Sequence, residues 1–454
     1  METIFNRKAY AEMLDWKNHL ADKYALLVEG ARRVGKTFLL RRFAEQEYDS
    51  YIYIDFSHLT KDVKAAKRAF TEAADIADLI MQLELIFAVK LIPGRSCLIF
   101  DEVQLFPYAR GAIKSLVEYG KYHYIESGSL VGIKENVKDI LIPSEEHKLK
   151  IYPLDFEEFL DATGEGLLRD HIRQCFSEKK PLADAIHDKA LRLWRLYMVV
   201  GGMPQSVAAY ILSGDDRLSA CEQAKREILS LYESDIGRYA KGYAAKVKAI
   251  FRMLPSALAR HEKKFRLADL GENARMRRYE TSFLWLEDAM IVNVAYNTIS
   301  PDVGLGMNLD NASFKCYSLD TGLLVSQSMG AGIKAEAKLL RAVLNDNLGI
   351  NEGMFVENMI AQTLVSRNRD LFFFSRNNRQ DRSETMEIDF LIRDGIKICP
   401  VEVKSGSYRA HASLDRFVAK FGKKIGRKYV ICRSNLESGS DGITYLPFYM
   451  AHCL

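Results

Sequence analysis

The glycine-bounded segment 30–37 constrains the fold of this chain more than any other feature. It has the form Gly-x-x-x-x-Gly-Lys-Thr, it follows an apolar run at 24–29, and it precedes an apolar-periodic segment at 38–47. Between a strand and a helix, such a loop surrounds phosphate groups with backbone amides and the positive end of the helix dipole. The pattern predicts a triphosphate-binding loop in an α/β domain with a parallel sheet. The predicted phosphate-binding residues are Gly30, Ala31, Arg32, Arg33, Val34, Gly35, Lys36 and Thr37.

A second motif at 97–102 supplies the partner chemistry. It is an apolar run that ends in Asp101 and Glu102. We expect Lys36 to reach the β- and γ-phosphates, and we expect Thr37 and Asp101 to hold Mg²⁺. Glu102 is placed to orient and deprotonate an attacking water, a role that a site for binding alone does not need. The two motifs together predict a site that binds ATP and Mg²⁺ and hydrolyses the ATP.

The next predicted strand, 122–125, leads into Ser127-Gly128-Ser129. Ser127 is the candidate sensor of the γ-phosphate, although an ordinary turn explains Ser-Gly-Ser equally well. An arginine finger is not identified by any motif, and an assembled ring is one source of such a residue. The arginines considered for this role are Arg32, Arg33, Arg110 and Arg238.

Short apolar runs alternate with helical patterns in the first third of the chain, which favours a parallel sheet. The predicted strands are 24–29, 51–56, 96–100 and 122–125, and the predicted helical segments are 38–47 and 63–89. After residue 160 the pattern is mostly helical, and three predicted helices precede a β segment at 290–296. The helices are 247–254, which Pro255 is expected to end, 267–270 and 276–286. This order fits a winged-helix unit or a plain helical spacer.

Two basic patches are candidate DNA surfaces, and each can equally be a solvated face. One lies at the start of the third helix of the winged-helix candidate, and the other lies near the end of the chain. Their members are Arg275, Arg277, Arg278, Lys420, Lys423, Lys424, Arg427 and Lys428.

A fresh α/β pattern begins near residue 353, with a helix at 355–367 and strands at 371–375, 387–392, 398–404 and 428–432. It carries Glu357, Asp389, Glu402 and Lys404 in that order. Asp389 and Glu402 are candidate ligands of a divalent metal beside a phosphodiester, and Lys404 is placed to position or activate water. The alternative is that Glu402 and Lys404 form only the polar face of a strand.

The segments 29–37, 101–104, 127–129, 153–159 and 201–204, in that order, resemble the archaeal-type AAA+ ATPases that are widespread in bacteria and archaea. Segment 317–324 resembles the uncharacterised domain usually fused behind that ATPase. The resemblance implies an ATPase core at 1–160, a helical lid at 161–240, a winged helix at 241–335 and a nuclease-like domain at 336–454. The C-terminal set is similar to the PD-(D/E)XK nucleases, although Ile388 stands where that pattern has proline.

Composition narrows the function classes without naming one. With 454 residues the chain is expected to hold about two to four domains. A net charge of +4 does not by itself indicate a polyanionic partner. The seven cysteines include no Cys-x-x-Cys pair, which argues against a disulfide framework or a zinc knuckle. We expect a cytoplasmic protein with no membrane span and no catalytic zinc. Two functions compete: an ATP hydrolase that acts on DNA, and a slow nucleotide-gated switch that signals to a protein partner. Either can form a homo-oligomer.

Overall fold

The computed structural model describes residues 5–129, 143–260, 263–270, 276–329, 340, 341, 344, 352–378, 380, 381 and 384–454. The chain divides into two compact units. The N-terminal unit comprises Asn6–Tyr152 with Asp288–Met290. The C-terminal unit comprises Pro153–Glu287 and Ile291–Leu454 with Met1–Phe5.

The N-terminal unit is built on one parallel sheet with strand order β2-β3-β4-β1-β5. Its strands are β1 (Ala25–Glu29), β2 (Ser50–Asp55), β3 (Ser96–Asp101), β4 (His123–Gly128) and β5 (Glu146–Lys150). Its helices are α1 (Lys8–His19), α2 (Lys36–Glu47), α3 (Lys61–Glu72), α4 (Ile76–Phe87), α5 (Pro107–Gly111) and α6 (Ile113–Tyr119). Because β3, β4 and β1 are adjacent and parallel, their carboxyl ends meet at one edge of the sheet.

The four strands predicted in this unit are confirmed, and two other features differ from the prediction. Strand β5, with the sequence Glu-His-Lys-Leu-Lys, was not predicted, because its charged residues give no apolar run and only Leu149 is buried. The segment predicted as one helix at 63–89 is two helices. The second begins where the side chain of Asp75 accepts a hydrogen bond from the backbone N–H of Asp78, which caps α4.

The C-terminal unit begins with helices, and the mostly helical pattern predicted after residue 160 is confirmed. The helices are α7 (Phe156–Ala162), α8 (Gly166–Glu178), α9 (Asp184–Val200), α10 (Pro204–Leu212), α11 (Arg217–Tyr239), α12 (Ala244–Leu258) and α13 (Met276–Asp288). The prediction that Pro255 ends its helix was wrong, because α12 continues for a further turn and buries Ala257 and Leu258. Segment 267–270 is a short 3₁₀ turn rather than a full helix.

Two sheets and further helices follow in the described part of the C-terminal unit. The helices are α14 (Thr321–Met329), α15 (Glu352–Ser366) and α16 (Ala412–Phe421). The strands are β6 (Val292–Thr298), β7 (Leu309–Ser318), β8 (Leu371–Arg376), β9 (Met386–Ile388), β10 (Phe390–Asp394), β11 (Lys397–Val403), β12 (Lys428–Cys432), β13 (Glu437–Ser438) and β14 (Ile443–Pro447). They form the sheets β7-β6-β8-β9 and β10-β11-β12-β14-β13.

Two features of these sheets bear on the predicted organisation. The strand predicted at 387–392 is interrupted at Asp389, which separates β9 from β10. Strand β6 pairs with β8 in parallel, so the sheet joins residues on both sides of the predicted boundary between 335 and 336. The division of this region into a winged helix and a nuclease-like domain stays a prediction.

Three of the segments that carry the family resemblance meet inside the C-terminal unit. The backbone N–H of Gly202 donates to Asp320 Oδ2 at 2.6 Å, and the N–H of Leu154 donates to the Gly202 carbonyl at 2.7 Å. A Cβ added to Gly322 would lie 2.6 Å from Gly201 Cα, so the two backbones approach as closely as glycine allows. The three segments therefore pack against one another at one place, here called the backbone junction, through hydrogen bonds and a close approach of their backbones.

Candidate functional site

The phosphate-binding loop lies between β1 and the start of α2, as its sequence predicts. Gly35 has a φ of 95° and Arg33 has a φ of 72°, so two residues of the loop adopt the left-handed conformation that turns backbone amides inward. A Cβ on Gly30 would lie 2.5 Å from the Ile151 carbonyl oxygen. The first glycine of the motif is therefore required by a close backbone approach.

Lys36 is buried at the centre of the loop. Its Nζ donates to the carbonyl oxygens of Gly30 at 2.8 Å and Ala31 at 3.1 Å, and to Ser129 Oγ at 3.1 Å. Burial lowers the pKa of this ammonium, while the carboxylates of Glu102 and Asp101 oppose that shift. The ammonium is thus held against the loop by two of the loop's own carbonyl groups and by Ser129.

Asp101 lies at the end of β3 and is held by three hydroxyl groups. Thr37 Oγ1 donates to Asp101 Oδ2 at 2.7 Å, and the hydroxyls of Tyr53 and Ser127 also donate to this carboxylate. The two predicted Mg²⁺ ligands, Thr37 and Asp101, are therefore in direct contact. Hydroxyl and carboxylate oxygens are the ligands that Mg²⁺ prefers, so these residues fit the ion.

Glu102 follows Asp101 in a left-handed conformation, with φ 54°. Its carboxylate accepts a hydrogen bond from Gln104 Nε2 and lies 3.4 Å from Ser129 Oγ. Burial raises the pKa of this carboxyl, and the neighbouring Lys36 opposes the shift. A buried carboxylate with a raised pKa is suited to accept a proton from water. A non-glycine residue at positive φ is costly and is typical of functional sites.

Sequence reasoning missed two residues of this site. Arg7, just before α1, donates from Nη1 to the Val34 carbonyl at 2.9 Å and from Nη2 to the Tyr152 carbonyl at 2.5 Å. Arg7 thereby connects the loop to Tyr152, the second residue after β5. Tyr53, on β2, contacts Asp101 as described above. Neither residue belongs to a motif, and only the fold brings them to the loop.

The four arginines considered as fingers occupy different settings. Arg32 and Arg33 are exposed on the loop, and Arg238 is exposed on α11 of the C-terminal unit. Arg110 is buried and forms a two-point ion pair with Glu146, through Nε and Nη2 at 2.8 Å each. Its guanidinium is committed to that carboxylate, which makes Arg110 a structural residue in this conformation.

The C-terminal set lies at a second cluster of charged side chains, here called the acid cluster: Glu357, Glu387, Asp389, Glu402, Lys263, Lys315 and Lys404. Lys315 Nζ lies 3.1 Å from Glu357 Oε1, 3.0 Å from Glu387 Oε1 and 3.5 Å from Asp389 Oδ1. Lys404 Nζ lies 2.7 Å from Glu402 Oε1. The structure thus brings the four predicted residues near one another, together with Lys263, Lys315 and Glu387, which no motif marks.

The electrostatics of the acid cluster follow from burial and from these lysines. Burial raises the pKa of Glu357, but Lys315 and Lys263 outweigh it and lower that pKa to about 2. Burial, followed by the charge of Asp389, raises the pKa of Glu402 to about 8. Four carboxyl groups therefore face three ammonium groups, and burial together with the neighbouring carboxylates raises the pKa of both Glu402 and Asp389.

This arrangement does not fit the divalent metal that the sequence predicted at Asp389 and Glu402. Asp389 Oδ2 accepts the N–H of Val403 at 2.9 Å, and its Oδ1 faces Lys315. Glu402 Oε1 is paired with Lys404. Among the described residues, no group of three His, Cys, Asp or Glu side chains is arranged to hold a metal ion. The nuclease roles of these residues stay a prediction.

The basic patches are only partly described. Arg275 and the side chain of Arg277 lie outside the described residues, and Arg278 is exposed near the start of α13. In the second patch, Lys423 is exposed and the other four residues have partners. Those pairs are Lys420 with Glu384, Lys424 with Asp302, Arg427 with Asp394, and Lys428 with the Asp441 carbonyl.

Three segments match family models. Residues 22–160 match an AAA domain, residues 191–336 match a domain of unknown function (DUF8612), and residues 352–450 match another (DUF4143). No curated protein matches the chain. A chain in the structure of Drosophila ORC bound to DNA is 13% identical, with 76% of this chain and 96% of that chain covered and a TM-score of 0.28.

The N-terminal match and the sheet agree with each other. The chain carries an AAA-type P-loop ATPase domain, and the predicted α/β class with a parallel P-loop sheet is confirmed. Domains of this type bind ATP together with Mg²⁺. In the described part of the chain, no helix is both long enough and apolar enough to cross a lipid bilayer.

Proposed function

We propose that this chain is a Mg²⁺-dependent ATP hydrolase of the AAA+ class. The observation that carries the proposal is the convergence of Lys36, Thr37, Asp101 and Glu102 at the carboxyl edge of the parallel sheet. Thr37 Oγ1 lies 2.7 Å from Asp101 Oδ2, and Glu102 follows on the same strand end. The match of residues 22–160 to an AAA domain supports the same function.

Each residue has a defined task in this mechanism. The loop amides and Lys36 bind the phosphates, and Thr37 and Asp101 are the residues that would hold Mg²⁺. The bound ion neutralises charge on the β- and γ-phosphates. Glu102 accepts a proton from the attacking water, and its raised pKa improves it as a base near neutral pH. Ser127 keeps Asp101 oriented, and Ser129, which contacts Lys36, is a second sensor candidate.

DNA is the proposed macromolecular partner. Arg278, exposed near the start of α13, and the exposed Lys423 support it as local basic positions on a chain of nearly neutral net charge. We further propose a homo-oligomer that supplies the arginine finger from a neighbouring copy, because Arg110 is committed to Glu146. The seven cysteines of the sequence are free thiols, which supports the cytoplasm as the location.

Steady-state phosphate release, measured with and without duplex DNA, tests the proposal. We expect Lys36→Ala to abolish ATP binding, because it removes the buried ammonium of the loop. Glu102→Gln should keep ATP affinity and lower kcat by about 10²–10⁴-fold, because it removes the proton acceptor. Lys90→Ala is the matched control, since its side chain is 85% exposed, and it should behave as wild type.

The outcomes separate the competing functions. Turnover that DNA stimulates supports a hydrolase that acts on DNA. A negligible rate with tightly retained nucleotide would instead support the slow switch that signals to a protein partner. Full hydrolysis by the Glu102 variant would refute the role given to that residue.

A further inference from the structure

Lys315 lies at the centre of the acid cluster and is almost fully buried. Its ammonium lies within 3.0–3.5 Å of oxygens from three carboxylates, those of Glu357, Glu387 and Asp389. These carboxylates come from helix α15, from β9 and from the break between β9 and β10. A cation surrounded by carboxylate oxygens from separate elements is the arrangement in which proteins also bind divalent metals.

The carboxylate of Glu357 is engaged on both oxygens. Its Oε1 takes Lys315 and the hydroxyl of Tyr317 at 2.5 Å, and its Oε2 takes the ammonium of Lys263. A metal ion needs oxygens that are free to donate lone pairs at about 2.0–2.6 Å. The two lysines therefore occupy the positions from which Glu357 would ligate a metal.

Lys315 is fixed in place by its own strand. Tyr317 lies two residues further along β7, so both side chains point to the same face and reach Glu357 together. The ring of Phe373 lies 5.1 Å from Lys315 Nζ and adds a cation–π contact. The position of the Lys315 ammonium is therefore fixed by three carboxylates, by its strand and by an aromatic ring.

One oxygen of the cluster is left without a partner. Glu402 is buried, and its Oε2 has no hydrogen-bond donor, while its Oε1 is paired with Lys404. A buried carboxylate oxygen without a donor costs free energy. This oxygen belongs to the second residue that the sequence predicted as a metal ligand, so the cluster keeps one unused ligand atom.

We propose that the Lys315 ammonium takes the place of a divalent cation in the acid cluster, so that the cluster binds no metal while Lys315 is present. Removing the ammonium leaves Glu357 Oε1, Glu387 Oε1 and Asp389 Oδ1 without their shared cation, in the cluster that also holds the unpaired Oε2 of Glu402. With small side-chain movements, which the present arrangement requires, the same residues then form a site for a hard divalent cation. This inference concerns the C-terminal unit and does not depend on ATP hydrolysis.

Mn²⁺ binding to the full-length chain tests the proposal. Free Mn²⁺ is measured by electron paramagnetic resonance without nucleotide, and every variant carries Asp101→Asn to weaken the nucleotide site. The parent for this comparison is the chain that carries Asp101→Asn alone. We expect the addition of Lys315→Met to tighten Mn²⁺ binding at least about tenfold relative to this parent, because it removes one positive charge from the side of three carboxylates. Mn²⁺ should also raise the melting temperature of this variant in proportion to its binding.

Two further variants define the site and the control. Adding Asp389→Asn to Lys315→Met should abolish the new binding. Lys225→Met is the matched control, because Lys225 is an equally buried lysine that is paired with Glu222 at 2.9 Å and donates to the Val199 carbonyl at 2.9 Å. It should lose stability and gain no Mn²⁺ binding.

Two measurements on proteins that retain Lys315 test the proposal even if Lys315→Met does not fold. Mn²⁺ binding by the parent that Asp389→Asn removes would overturn it. So would Mg²⁺-dependent plasmid cleavage by the wild type that is lost in both Asp389→Ala and Lys404→Ala. A folded Lys315→Met variant that binds no additional Mn²⁺ would also overturn it.

Discussion

A single carboxylate at the nucleotide site, Asp101, accepts hydrogen bonds from three hydroxyl groups. Thr37, Tyr53 and Ser127 all donate to it. Thr37 belongs to the loop and Ser127 to the neighbouring strand, whereas Tyr53 comes from β2 on the other side of β3. The tyrosine therefore acts as a positioning residue that fixes the carboxylate between two strands.

We expect Tyr53→Phe to raise the Mg²⁺ concentration needed for half-maximal ATP turnover by about tenfold or more, because a hydrogen bond to a charged group contributes about 1.5–3 kcal/mol. The ATP concentration dependence at saturating Mg²⁺ should change little. The measurement is phosphate release across a Mg²⁺ titration.

Tyr51→Phe is the control for this substitution. Tyr51 lies two residues earlier on β2, and its hydroxyl contacts Glu45 at 3.3 Å instead of Asp101. Its removal should leave the Mg²⁺ dependence unchanged. An identical shift in both variants would assign the effect to the strand rather than to the contact with Asp101.

Residues of the nucleotide site could be predicted from sequence only where they belong to a short motif, and not where their partners are distant along the chain. Lys36, Thr37, Asp101 and Glu102 were predicted from sequence because each belongs to a short motif that ends a strand or begins a helix. Arg7 could not be predicted, since its partners Val34 and Tyr152 are distant in sequence. Lys315 could not be predicted for the same reason, since its carboxylate partners Glu357, Glu387 and Asp389 are also distant in sequence.

Elements show the same limit in physical terms. Strand β3, buried at every position, was predicted from its apolar run, while β5 was missed because a charged edge strand has no such run. Pro255 predicts a helix end, because proline lacks an N–H group. Burial of Ala257 and Leu258 on the far side of the proline outweighs that cost.

At the scale of elements, the start of α14 packs tightly against a second backbone segment, at Gly201. We predict that Gly322→Ala lowers stability by about 1–3 kcal/mol, because its Cβ would lie 2.6 Å from Gly201 Cα and force two backbones apart. The measurement is the midpoint of thermal unfolding followed by circular dichroism. Helix propensity alone predicts the opposite sign.

Gly237→Ala provides the comparison within another helix. A Cβ there would meet only Lys248 Nζ at 3.5 Å, which is ordinary contact. This substitution should leave stability unchanged or raise it by up to about 1 kcal/mol. If Gly322→Ala melts at or above the wild-type temperature, the backbone junction is not as close as the structure describes.

At the scale of the whole molecule, the C-terminal unit is held together by contacts between its first and last segments. Its main hydrophobic core runs from Leu154 and Phe156 to Phe448 and Met450, so the end of the chain packs among the helices that begin the unit. An ion pair joins the same two segments. His452 Nε2 lies 3.2 Å from Glu157 Oε1, and both side chains are buried.

The charge of His452 makes this connection depend on pH. Burial lowers the pKa of His452, but its interactions with the side chains of Cys453 and Glu157 outweigh it and raise the pKa from 6.5 to about 9. Glu157 is also paired with Arg173. A pKa that is raised on folding stabilises the fold fully below the unfolded value and loses that contribution as pH rises through the folded value. The contribution, about 3 kcal/mol at most, is therefore present near pH 6 and lost above about pH 9.

We predict that His452→Gln melts several degrees below wild type near pH 6, and that the difference shrinks toward zero above about pH 9. His187→Gln is the control, because burial lowers the pKa of His187 and its Nδ1 is hydrogen-bonded to the Tyr449 hydroxyl at 2.7 Å. Its deficit should not shrink over that alkaline range. A His452 deficit that stays constant from pH 6 to about pH 9.5 would show that the ring contributes packing alone, since only a titrating imidazolium loses its attraction to Glu157 as it deprotonates.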